Sequence, residues 1–96
     1  MPGWKFLSNH LLVLYLIAQQ PRITAREISA SLGITEKATR NIITDLETEG
    51  YLTKKKEGRR LNYSIDPDLP LRTEIHRDKT VGDILRTLGW KKRPVK

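Results

Sequence analysis

Thr24-Ala25-Arg26-Glu27-Ile28-Ser29-Ala30-Ser31-Leu32-Gly33-Ile34-Thr35-Glu36-Lys37 holds two helix starts with a glycine stop between them. Thr24 and Glu27 have capping-box spacing, in which the hydroxyl accepts from the third amide and the carboxylate reaches back to the cap. A helix over 24–32 follows, with Ile28 and Leu32 four apart on its inner side. Gly33 stands where a helix end needs left-handed backbone, Ile34 is expected to be the buried residue of the turn, and Thr35 caps the next helix. That helix runs over 36–49 and stops at Gly50. Two capped helices joined by about three residues around a glycine form a helix-turn-helix.

The helix over 36–49 has two unlike faces. At about 100° per residue, Thr39, Ile42, Ile43 and Leu46 share one arc and must face a core. Lys37, Arg40, Asn41, Thr44 and Thr48 share the opposite arc. Those side chains suit base edges: arginine matches guanine O6 and N7, asparagine matches adenine N6 and N7, and threonine can meet the thymine methyl. Asp45, Glu47 and Glu49 occupy the second half, where phosphates would repel them, so the first two turns are the part expected to enter a groove.

Beyond Gly50 the period changes to two. Leu52, Lys54 and Lys56 point one way on the first segment, and Leu61, Tyr63 and Ile65 point one way on the second. Glu57-Gly58-Arg59-Arg60 supplies the turn, so the pattern predicts a β-hairpin over 51–65, a wing beside the helix pair. Lys54, Lys55, Lys56, Arg59 and Arg60 crowd it. Alternation sets Lys55 opposite to Lys54 and Lys56, so the charge surrounds the wing, where it can follow phosphates or send Arg59 or Arg60 into a minor groove. Lysines that protect a strand edge from aggregation account for two or three of these residues, less readily for the arginine pair. Arg22, Thr24, Arg26 and Thr35, around the helix starts, are further candidates for backbone phosphate.

The flanks complete the element list. Residues 6–20 read as a helix that is apolar on most sides: Leu7, Leu11, Leu14, Tyr15 and Ala18 form one face, and Leu12, Leu16 and Ile17 a second. Such a helix occupies either a central position or a subunit interface. Gln19-Gln20-Pro21 ends it, and Arg22-Ile23 could form a one-bond strand. After the turn-rich Asp66-Pro67-Asp68-Leu69-Pro70-Leu71, Thr80 and Asp83 cap a short helix over 80–88, with Val81, Ile84, Leu85 and Leu88 on one face. The fold class is therefore mainly α with a small β-hairpin (α+β).

The 96 residues make one core, expected as a single domain over 1–90 with a basic tail over 91–96. The net charge of +7 is concentrated. Residues 1–53 are neutral, 54–60 carry +4, 61–90 carry −1 and 91–96 carry +4. Concentrated basic segments on a neutral body point to a polyanion partner. With no cysteine, disulfides and thiolate metal sites are excluded, and an intracellular, cytoplasmic address is expected. The apolar run Leu11 to Ala18 is short of the roughly 20 residues that span a membrane. His10 and His76 lie apart without a supporting carboxylate motif, so no metal site, no cofactor and no catalysis are expected. Trp4 and Trp90 are expected to cover core or interface surface.

Taken together, the chain resembles the winged helix-turn-helix transcriptional regulators of the MarR and ArsR type. The resemblance lies in Phe6-Leu7-Ser8-Asn9-His10, Arg26-Glu27-Ile28-Ser29, Leu32-Gly33-Ile34-Thr35-Glu36-Lys37-Ala38, Asp45-Leu46-Glu47-Thr48-Glu49-Gly50-Tyr51-Leu52 and Gly58-Arg59-Arg60-Leu61-Asn62-Tyr63. It implies a homodimer on double-stranded DNA, associated with a prokaryotic nucleoid, with the third helix in the major groove and the wing on flanking backbone or minor groove. Lys37, Arg40, Asn41 and Thr44 would then read bases. Terminal helices would pair the subunits, here through Leu12, Leu16, Val81, Ile84, Leu85 and Leu88. The metal-sensing branch uses thiolates, which this chain lacks, and larger relatives build a ligand pocket from long flanking helices, so no effector is assigned. The alternatives are a protein-interaction module on the same fold and, ranked lower, RNA binding.

Overall fold

The computed structural model describes residues 7–70 and 79–90. In chain order these form α1 (Asn9–Gln19), α2 (Ala25–Leu32), α3 (Glu36–Thr48), β1 (Leu52–Glu57), β2 (Arg60–Ile65) and α4 (Val81–Thr87). The four helices and the hairpin expected from the sequence are present, with helix ends set by local capping. The first helix starts at Asn9 rather than at residue 6, because the Ser8 hydroxyl accepts from the Leu11 amide at 3.1 Å and caps it there.

α1 lies centrally in the chain's own core. Val13 and Ile17 are fully buried, with Leu14 and Ala18 beside them, against α2, α3 and β2. Ile28 of α2, Thr39, Ile42, Ile43 and Leu46 of α3, and Tyr51, Leu52 and Tyr63 of the hairpin complete this layer. Thr39 brings a hydroxyl into the core, and it donates to the Thr35 carbonyl at 3.0 Å, so its polar atom is satisfied. His10 pairs with Asp45 on α3 and Trp90 joins the core, whereas Trp4 and His76 lie outside the described residues.

The turn between α2 and α3 follows its residues. Thr24 and Glu27 form both halves of the capping box, and Gly33 takes a φ of +69°, a conformation in which a Cβ meets the backbone. Ile34 is half-buried against the core, less enclosed than expected. Instead of a strand at Arg22-Ile23, residues 21–22 form a turn whose Pro21 carbonyl accepts from the Tyr63 amide at 2.8 Å. One bond is made there, one residue earlier than expected, and it ties β2 to the start of α2.

The hairpin pairs Leu52 with Ile65, Lys54 with Tyr63, Lys56 with Leu61 and Glu57 with Arg60. Gly58 and Arg59 form its two-residue turn. Gly58 has a φ of +63° and Arg59 has no positive φ, the pattern of the type II′ turn that matches strand twist. Lys55 pairs with Asn62 on the other face, as alternation requires.

After the hairpin, the chain straps back over the core. The Tyr51 hydroxyl donates to the Pro70 carbonyl at 2.6 Å, the Val81 amide donates to Leu69 at 2.9 Å and the Gly82 amide donates to Pro67 at 2.8 Å. This fixes α4 so that Leu85 is fully buried and Val81 nearly so. Two of the six residues expected at a subunit interface, Val81 and Leu85, are therefore spent on the chain's own core. Leu12, Leu16, Ile84 and Leu88 are half-buried.

Two predictions follow from these contacts. A Cβ at position 82 would lie 2.8 Å from the Pro67 carbonyl oxygen and 2.9 Å from Pro67 Cβ. Gly82→Ala is expected to destabilise the fold by about 1–3 kcal/mol, read as a lower denaturant midpoint, with α3 unaltered. The second concerns the two capping carboxylates. The Thr24 amide, then its hydroxyl, with a smaller contribution from Arg60, holds the Glu27 carboxyl below its ordinary range. The Thr80 amide, then Arg86 and the Thr80 hydroxyl, does the same for Asp83. Because both folded-state values are depressed, this stabilisation is complete above the ordinary carboxylate range and is lost as pH falls through the lower folded values. The denaturant midpoint should fall on acidification into that window, and fall less in a Glu27→Gln, Asp83→Asn double variant.

Candidate nucleic-acid interface

Packing fixes which side of α3 is available. Thr39, Ile42, Ile43 and Leu46 are buried, so Lys37, Arg40, Asn41, Thr44 and Thr48 stand exposed on the opposite side. Thr35 caps the helix, its hydroxyl accepting from the Ala38 amide at 3.0 Å. The helix dipole and free amides at that end favour an approaching anion, so polarity along α3 agrees with an entry by its first turns.

The hairpin does not stand apart from this face. A groove of about 390 Å³ runs between the start of α2, the middle of α3 and the inner face of the wing. Arg22 and Thr24 line it from the segment that leads into α2, Arg40 and Thr44 from α3, and Lys54, Arg59 and Arg60 from the wing. Seven residues proposed separately from the sequence thus meet around one concavity. Lys37 and Asn41 lie on the same exposed side of α3, while Arg26 sits on the outer side of α2 with an 89% exposed side chain. Lys55 and Lys56 remain exposed along β1.

Carboxylates that the charge count did not foresee hold several of these cations. Arg40 pairs with Glu36 at 3.3 Å, Lys54 with Glu47 at 3.6 Å and Arg60 with Glu27 at 3.8 Å. Arg60 also donates to the Arg22 carbonyl at 3.1 Å. Its guanidinium is therefore turned back onto α2 rather than outward from the wing tip. Of the two arginines considered for insertion into a minor groove, Arg59 is the one in the turn itself and Arg60, next to the turn on β2, braces the wing against the start of α2. The Glu36–Arg40 pair has i,i+4 spacing and could have been read from sequence. The other two join residues on different elements and could not.

Leu61 and Tyr63 also line the groove and were not singled out as functional. Leu61, 36% exposed, puts an apolar side chain beside the cations. Burial, and then the Glu47 carboxylate, push the Tyr63 phenol above its ordinary pKa, so it stays a neutral hydroxyl. The Thr24 hydroxyl is taken by Glu27, which makes its structural role complete without a ligand. Among the described residues no group of His, Cys, Asp or Glu is placed to hold a metal ion. No helix among them is long and apolar enough to cross a membrane.

Residues 7–53 match the family model for winged helix-turn-helix DNA-binding domains. No curated protein matches the chain. Among solved structures, a predicted DNA-binding transcriptional regulator from E. coli is 26% identical, over 81% of this chain and 70% of that one, with a TM-score of 0.57. ZitR of Lactococcus lactis, solved in complex with DNA, is 20% identical over 68% of this chain and 46% of its own, with a TM-score of 0.55. IscR from T. potens is 14% identical, over 98% of this chain and 95% of that one, at 0.63. The chain thus spans about half the length of ZitR. The element order, the glycine turn, the wing and the family match agree: this chain has a winged helix-turn-helix fold, and its residues 7–53 match the DNA-binding family of that description through the first three helices and into the first wing strand.

Proposed function

We propose that the chain is a sequence-specific double-stranded DNA-binding transcriptional regulator, with α3 in the major groove and the wing on flanking backbone or minor groove. One observation carries this: the exposed polar face of α3 and the basic wing border the same groove, so a single duplex could touch both. Lys37, Arg40, Asn41 and Thr44 read bases. Arg22, Arg26, Lys54, Lys55, Lys56 and Arg59 meet the backbone, with Thr24 and Thr35 presenting helix starts to phosphate and Arg60 contributing from beside the turn of the wing. The α3 segment and its flanks are electrically balanced in sequence, so affinity comes mainly from the wing and the basic tail over 91–96.

The single domain over 1–90 works as a homodimer in the prokaryotic cytoplasm, associated with the nucleoid, and has no enzymatic role. Half-buried Leu12 and Leu16 on α1, with Ile84 and Leu88 at α4, supply the apolar surface for pairing. Two copies would contact half-sites about one helical turn apart.

Two experiments test this. Duplexes selected from a random library should be distinguished from scrambled ones by the wild type, and an Arg40→Ala, Asn41→Ala variant should lose most of that preference. A Lys55→Ala, Lys56→Ala, Arg59→Ala variant should instead bind all duplexes more weakly, with the slope of log affinity against log salt smaller by about 2–3. Unchanged binding in both variants contradicts the proposal, and no affinity for any duplex at low salt would favour a protein-interaction module. Pairing is tested by sedimentation: Leu12→Glu with Leu88→Glu should yield a folded monomer, whereas a wild type that is already monomeric contradicts the homodimer.

A further inference from the structure

Glu36 opens α3 directly after the Thr35 cap, where the helix dipole favours a carboxylate. Its two oxygens face two guanidinium groups. Oε2 accepts from Arg40 Nη2 at 3.3 Å, one turn further along α3, and Oε1 lies 3.9 Å from Arg26 Nε on α2. The Glu36 side chain is the most enclosed of the three, at 41% exposure against 65% for Arg40. A carboxylate on a surface that meets phosphates costs affinity through repulsion, so its place among the candidate base readers calls for another role. Arginine recognises a base through the fixed plane of its fork, and an exposed arginine loses much rotamer freedom when that plane is set. A partner one turn away can set it beforehand.

We infer that Glu36 is a specificity-determining positioning residue, which orients the Arg40 guanidinium for base recognition and does so at the expense of overall affinity. The inference rests on the reading of α3 as the base-reading helix. Glu36 acts through Arg40 and need not touch a base itself. Two simpler roles make different demands. If Glu36 contributed charge alone, its neutralisation would strengthen binding to every duplex by the same factor. If it contributed stability alone, its loss would lower the melting temperature and leave discrimination intact.

The test compares affinities for a duplex selected by the wild type and for a scrambled duplex of equal composition, by fluorescence anisotropy. The variants are Glu36→Gln, Glu36→Asp, Arg40→Ala and Glu36→Gln with Arg40→Ala. Glu36→Gln should bind the scrambled duplex more tightly while the ratio of the two affinities falls roughly five- to tenfold. Glu36→Asp keeps the charge but shortens the reach, so it should lose the ratio without gaining scrambled-duplex affinity. In the Arg40→Ala background, Glu36→Gln should leave the ratio unchanged. An undiminished ratio in Glu36→Gln overturns the inference, as does an equal fall with and without Arg40. A wild-type ratio of one overturns the reading of α3 itself, and so separates that failure from this one.

Discussion

Helix α3 has to satisfy two environments at once, and the rest of the molecule is arranged by that requirement. Thr39, Ile42, Ile43 and Leu46 are pressed into the core by α1 and α2. Burying these four fixes the rotation of the helix about its axis. The orientation of Lys37, Arg40, Asn41 and Thr44 toward solvent is the other side of the same fact. A change that loosened the core contact would therefore also blur the exposed face, and precision at the surface depends on burial beneath it.

The wing is rooted in the core by Leu52 and Tyr63 and held beside α2 by polar contacts. One backbone bond from Tyr63 to Pro21 and the Arg60 contacts with Arg22 and Glu27 join the hairpin to the start of α2. Exposed ion pairs contribute little stability. Their value here is geometric, because they set a two-stranded hairpin, marginal by itself, at a fixed side of α3. Glu27 links the two tasks: its carboxylate closes the α2 capping box and faces the wing arginine.

Much of this was legible in the residues. The capping boxes at Thr24 and Thr80, the turn at Gly33, the buried and exposed arcs of α3 and the alternation in the hairpin all depend on short-range spacing, and all appear where that spacing puts them. What could not be read depends on distance along the chain. The Leu69 and Pro67 carbonyls of the strap accept from the Val81 and Gly82 amides and fix the start of α4, so Val81 and Leu85 are buried in the chain's own core. Arg60 looked equivalent to Arg59 because nothing local shows that Arg22 lies within reach of it. Cation counts likewise overstate the wing and α3, since Glu36, Glu47 and Glu27 are brought to Arg40, Lys54 and Arg60 by folding.

The central claim is that one duplex engages the exposed face of α3 and the wing together across their shared groove. Backbone amide shifts of the isotope-labelled chain during titration with a selected duplex test it most directly. The account predicts that large changes cluster at 22–26, 35–44 and 54–60, saturating together at one stoichiometry. Changes confined to the outer surfaces of α1 and α4, with α3 and the hairpin silent, would contradict it.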